Sequence, residues 1–194
     1  MDTAVASPAG VMSLEAFIER CEREGLFELI DGEIVPVTPN VLKHNQISGR
    51  LYLRMGAHVE GASLGYLAYE SPYVLEYQSN WLRGARVPDL LFVNAVRFAA
   101  YTAQTPDWGE KPLILVPDLV IEIISPTDKF VKVMDKARLY LRDGVRLVWL
   151  IDPQSRTVNV LTADGGEFLY DAGSTLTGGD VLPELRLDLH EIFA

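Results

Sequence analysis

Residues 119–124 read Leu-Val-Ile-Glu-Ile-Ile, an apolar run that carries one acid, Glu122. Such a run suits a buried strand. An ionised carboxylate buried there without a partner is costly, so Glu122 calls for a basic side chain, a metal ion or exposure at a cleft. Asp89 poses the same problem within Arg86-Val87-Pro88-Asp89-Leu90-Leu91-Phe92-Val93. If these two strands lie side by side, their carboxylates converge near one edge of a sheet. One or two carboxylates, backbone oxygens and several waters make the kind of site that Mg²⁺ prefers, and Mn²⁺ shares that preference for oxygen. Asp118 has the same Val-Pro-Asp-Leu context as Asp89. It shares a strand face with Glu122 but stands ~13 Å away at the usual strand rise, too far for one ion to bind both. Asp118 therefore reads as a strand-start or supporting residue.

The segment after the Glu122 strand supplies bases. Lys129, Lys132 and Lys136 recur at i, i+3, i+7 of a helix whose apolar face is Phe130, Val133, Ala137, Tyr140 and Leu141. The lysines border that face on the Tyr140 side, and Lys136 sits one turn before Tyr140, so the two can meet at the margin of the core. A lysine there could reach over the sheet edge toward Glu122, to polarise a phosphate, orient a water or steady a developing charge. His44 opens another helix within Lys43-His44-Asn45-Gln46, and a helix N-terminus favours anions. Glu33 follows an Asp31-Gly32 turn. No phosphate-loop, His-Glu-x-x-His or Gly-x-Ser-x-Gly signature competes. The histidines His44, His58 and His190 lack ligand spacing, and the single Cys21 excludes both an internal disulfide and a Cys-rich zinc site.

The elements that must position these residues follow from the pattern. Residues 1–12 read as a tail and 13–194 as one domain. Ser13 caps a helix to about Arg23, with Cys21 on its apolar stripe. Phe27 to Ile30, Asp31-Gly32 and Glu33 to Val37 form a hairpin. A helix spans about Leu42 to Glu60, and strands fill Gly65 to Val93. Tyr101 to Lys111 reads as a long surface loop. The strand 118–124, the helix 128–142 closed by Gly144, and the strand 146–151 form a crossover unit. Thr157 to Thr162 and Glu167 to Tyr170 form a meander, and Leu187 to Phe193 a short terminal helix. The fold class is α/β or α+β, a mixed sheet flanked by helices.

The chain has 194 residues, 48% of them hydrophobic, with a net charge of -10. This excludes a disordered chain, a collagen and a coiled coil. It also argues against holding nucleic acid by bulk charge alone. From Asp128 to Arg146, however, six bases face three acids, a local balance of +3 beside Glu122. Any polyanion held beside Glu122 is then expected to depend on a divalent cation that masks the acids. The N-terminus lacks a signal-peptide pattern and no run is long enough to span a membrane, so the expected location is cytoplasmic, with no membrane partner.

In order along the chain, Phe27-Glu28-Leu29-Ile30-Asp31-Gly32-Glu33, His44, Val87-Pro88-Asp89, the segment Pro117 to Asp128, Lys136 with Tyr140, and Gly144-Val145 through Val148-Trp149-Leu150-Ile151-Asp152-Pro153 resemble the Uma2 family. That is a bacterial group of restriction-endonuclease-like proteins in the PD-(D/E)xK nuclease superfamily. The resemblance runs from about residue 13 to the C-terminus. It implies a restriction-endonuclease-like mixed sheet, Asp89 and Glu122 as metal ligands with the Ile123 carbonyl as a third, and Mg²⁺ or Mn²⁺ as cofactor. It implies DNA as substrate and a homodimer. The superfamily lysine would fall at position 124, which is Ile124 here; the Uma2-like pattern moves it to Lys136. His44 and Glu33 would complete the catalytic set. Two other activities compete: a non-catalytic binding module on a nuclease scaffold, and a metal-dependent hydrolase of small phosphate esters.

Overall fold

A computed structural model describes residues 12–78 and 81–194. Of the expected tail, all but Met12 lies outside the described residues. In chain order the elements are β1 (Met12–Ser13), α1 (Leu14–Glu24), β2 (Phe27–Ile30), β3 (Glu33–Pro36), α2 (Leu42–Gly61), β4 (Gly65–Tyr69), β5 (Tyr73–Gln78), β6 (Trp81–Arg86), β7 (Leu90–Asn94) and α3 (Ala95–Gln104). After a 3₁₀ turn at Trp108–Glu110 come β8 (Leu119–Ile123), α4 (Phe130–Asp143), β9 (Leu147–Asp152), β10 (Thr157–Thr162), β11 (Glu167–Asp171), β12 (Thr175–Gly178), β13 (Leu182–Asp188) and α5 (Leu189–Ile192). The chain divides into two compact units. No helix among the described residues is long and apolar enough to cross a membrane.

The first unit comprises the chain to Thr38, Pro72–Val87 and Asp107–Leu115. Its antiparallel sheet has β6 pairing with β1, β2 and β5, and β2 with β3. The Asp31-Gly32 turn takes φ of 50° and 82°, the two positive values of a type I′ hairpin. Ser13 caps α1 by accepting the Ala16 N–H at 3.1 Å. The core joins Leu14 and Phe17 of α1 to Phe27, Leu29, Val74, Leu82 and Ala85, with Cys21 half-buried against it. Glu28 is buried and accepts the Val87 N–H at 3.1 Å.

The second unit carries a six-stranded mixed sheet in the order β11-β10-β9-β8-β7-β4. Only β8 and β9 run parallel, because α4 forms the crossover between them. Ile47, Leu51, Met55 and Val59 of α2 join alternate residues of β7, β8 and β9 in one core, closed further by β13 and α5. Gly144 ends α4 in the left-handed conformation, with φ 107°, which a side chain there would resist.

Two expectations fail locally. The stretch from Tyr101 is not all loop: α3 runs through Gln104, started by the Asn94 side chain, which accepts the Arg97 N–H at 3.0 Å. The apolar face of α4 is also displaced. Phe130 is 55% exposed, and Met134, Ala137, Leu139 and Tyr140 are buried.

Candidate active site

The site begins where a ladder stops. β7 and β8 pair antiparallel through Phe92 with Leu119, Leu91 with Val120, and Leu90 with Ile121. Continued for two residues, the same register sets Asp89 across from Glu122 and Pro88 across from Ile123. Proline has no N–H, so it cannot donate to the Ile123 carbonyl and the pairing ends. The Ile123 N–H is taken instead by Oδ2 of Asp89 at 2.7 Å. In a strand the N–H and C=O of one residue point the same way, so the Ile123 carbonyl is directed to the side that Pro88 leaves without a donor. The Pro-Asp pair thus does two things. It stops the sheet, and it turns a carboxylate into the acceptor the backbone no longer supplies.

Residues directly opposite in an antiparallel pair have Cβ atoms about 4.5–5.5 Å apart, and like charges there repel. Glu122 is relieved from the next element in the chain. Lys136 of α4 brings Nζ to 3.0 Å from Oε1 of Glu122. The Tyr140 hydroxyl donates to the same Oε1, and the Lys136 ammonium stands 5.8 Å from the centroid of the Tyr140 ring. Lys136 and Tyr140 are i, i+4 neighbours, so one helical turn delivers both. A lysine from α4 reaches Glu122 although position 124 is an isoleucine.

Asp89 is relieved from α2. His44, in the first turn of that helix, is buried and places Nε2 3.0 Å from Asp89 Oδ2. Burial of the imidazole opposes its charged form, but the hydrogen bond and charge of Asp89, with the Glu122 charge added, outweigh this and hold the His44 pKa above its usual value. Nδ1 is buried without an aligned partner, although the Asn45 side chain is near enough to add a smaller upward push. Both contacts to Asp89 fall on Oδ2; Oδ1 accepts no hydrogen bond from the described residues.

His44, Asp89, Glu122, Ile123 and Lys136 therefore meet in the second unit, joined by Tyr140. Glu33 belongs to the first unit, exposed on β3 opposite Ile30. Asp118 stands at the start of β8, where Oδ2 accepts the Asn94 N–H and Nδ2, both at 2.8 Å, and Oδ1 lies 2.8 Å from Arg97 Nη1. Two features were missed from sequence: the Ile123 N–H as partner of Asp89, signalled by the proline beside it, and the Tyr140 hydroxyl as partner of Glu122. No group of three His, Cys, Asp or Glu side chains forms a metal cage among the described residues. Two carboxylates and a main-chain carbonyl, as Asp89, Glu122 and Ile123 would offer, would suit a hard cation that keeps several waters better than zinc.

The profile of the Uma2 family, described as "Putative restriction endonuclease", matches residues 14–190. No curated protein matches the sequence. The fold is similar to a crystal structure described as "a putative nuclease belonging to DUF820" from Anabaena variabilis ATCC 29413, with a TM-score of 0.75 at 22% identity, covering 94% of this chain and 97% of that one. At that identity the likeness speaks to the fold, which is restriction-endonuclease-like. With the profile matching nearly the whole described chain, this protein belongs to the Uma2 family.

Proposed function

We propose that the protein is a divalent-metal-dependent endonuclease that hydrolyses phosphodiester bonds in DNA. The observation that carries this reading is that the β7–β8 register, continued past Leu90 and Ile121, sets Asp89 across from Glu122, onto which Lys136 is drawn. The carboxylates of Asp89 and Glu122 and the Ile123 carbonyl would hold Mg²⁺ or Mn²⁺. When bound, such an ion lowers the pKa of a water and offsets charge on the phosphate. The protein's own groups do the rest. His44 and the Ile123 N–H fix Oδ2 of Asp89, so the carboxylate presents Oδ1. Lys136 sets a positive charge beside Glu122, where it can orient a water or meet a phosphate oxygen. In the reaction a water oxygen forms a bond to phosphorus, an ester P–O bond breaks, and the leaving oxygen gains a proton.

The basic run from Lys129 to Arg146 supports a polyanionic substrate. A homodimer would offer two such sites for the two strands of a duplex. Placement of Lys136 on Glu122 favours catalysis over a vacated binding scaffold, because the lysine position that Ile124 vacates is filled from α4. The test is incubation of purified protein with plasmid DNA, RNA and a small phosphodiester in Mg²⁺ or Mn²⁺. Cleavage of plasmid, lost in Glu122→Ala and in chelator, is expected. Absence of cleavage, or equal cleavage by Glu122→Ala, overturns the reading; preference for the small ester redirects it to a phosphate-ester hydrolase.

A further inference from the structure

Tyr140 is fully buried on α4, yet it contacts both Glu122 and the lysine that pairs with it. Its hydroxyl donates to Oε1 of Glu122, and its ring lies under the Lys136 ammonium at 5.8 Å. Lys136 Nζ meets the same Oε1 at 3.0 Å. A glutamate has three side-chain torsions and a lysine four, and a metal ligand is useful only when that freedom is removed. The lysine cannot remove it alone, because its stem is flexible. The tyrosine can: its ring is immobilised in the core and has only two torsions.

We infer that Tyr140 is a positioning residue of the active site: its hydroxyl fixes Oε1 of Glu122 and its ring seats Lys136, so that the Glu122 carboxylate meets a divalent cation in one orientation. This rests on the proposed function above and adds to it a member that acts through others. Tyr140 touches neither substrate nor ion. It differs from a merely structural tyrosine in one respect: its loss reaches the metal affinity before it reaches the fold.

Tyr140→Phe separates the two roles, since it keeps the ring under Lys136 and removes only the donor. In metal-free protein the carboxylate stretch of Glu122, assigned by the infrared difference between wild type and Glu122→Gln, should shift in Tyr140→Phe. By calorimetry without DNA, Mn²⁺ affinity should fall about ten- to a hundredfold, the usual loss when an outer partner of a metal ligand is removed. In the Glu122→Gln background Tyr140→Phe should change Mn²⁺ affinity no further. An unshifted carboxylate band overturns the inference, as does a Tyr140→Phe protein that melts lower but binds Mn²⁺ as wild type does. Wild-type protein that shows no Asp89-dependent Mn²⁺ binding overturns the proposed function instead, and the role of Tyr140 with it; the infrared shift tells the two failures apart.

Discussion

The chain uses Val-Pro-Asp-Leu twice, at 87–90 and at 116–119, and puts the two copies to different ends. Both open a strand. Because β7 and β8 are antiparallel, the strand starts lie at opposite ends of one sheet. In both, the aspartate takes a backbone N–H that a proline-interrupted ladder would leave unmet: Ile123 for Asp89, Asn94 for Asp118. The difference is how much of each carboxylate remains. Asp118 is 1% exposed and engaged on both oxygens, by Asn94 on Oδ2 and by Arg97 on Oδ1, with Arg146 Nη1 at 3.9 Å. Asp89 is engaged on Oδ2 alone and faces a second acid. The same four residues therefore build a closed ion pair at one end and, at the other, a carboxylate held by one oxygen. What decides is the charged neighbour, an arginine from α3 or a glutamate from β8, and not the motif.

That contrast can be broken in several ways. Asp89→Asn should lower plasmid cleavage about a hundred- to a thousandfold, since an ion held here is worth several kcal/mol of barrier, while urea unfolding changes little. Asp118→Ala should do the reverse: cleavage per folded molecule stays within a few-fold, and stability falls by about 2–3 kcal/mol as charged hydrogen bonds are lost. If Asp118→Ala also abolishes cleavage in folded protein, the two ends are not separate. Next in size, Lys136→Met should reduce cleavage about a hundredfold through loss of a charge aimed at the reacting phosphate, read at saturating Mg²⁺.

Smaller effects sharpen the comparison. Mg²⁺ at about a hundred times its dissociation constant should stabilise wild type by about 2.7 kcal/mol. Asp118→Ala should keep that response and Asp89→Asn should lose it, as followed by thermal melts with and without chelator. The smallest effect is with pH. His44 has its pKa raised in the fold, so in metal-free protein its contribution is full below the unfolded value of about 6.5 and is lost as pH rises through the folded value. The stability gap between wild type and His44→Gln should then be widest near pH 6 and narrow as the solution becomes alkaline. The Asp118 end has no histidine among its partners, and the gap for Asp118→Ala should stay level over the same range. Equal pH dependence at both ends would show that His44 is not coupled to Asp89.

Much of the site was legible because it breaks the apolar rhythm of its strands. Glu122 inside Leu-Val-Ile-Glu-Ile-Ile called for a partner, an ion or exposure, and Lys136 one turn before Tyr140 placed both at the margin of the core. What stayed hidden depends on where an element first meets the core. Phe130 fits the period of α4 but stands in its first turn, before the helix is covered. The helix α3 buries no residue fully; its half-buried Ala95, Phe98 and Tyr101 at i, i+3, i+6 and its Asn94 cap mark it only weakly. The hairpin of β12 and β13 was missed because its pairing shifts between Thr177 and Gly178, which breaks strict alternation. The Asp89–Ile123 contact depends on cross-strand register, which no local pattern contains.

Pro88 has a consequence beyond the geometry it sets. Nearly any other residue there could donate to the Ile123 carbonyl and lengthen the sheet by one rung. Selection for robustness alone would favour that change, because a completed rung is worth more than a carbonyl that Pro88 cannot serve. If the proposed ion does bind there, a proline that holds the rung open is the opposite bargain, in which a little folding stability is surrendered for a place the ion can occupy.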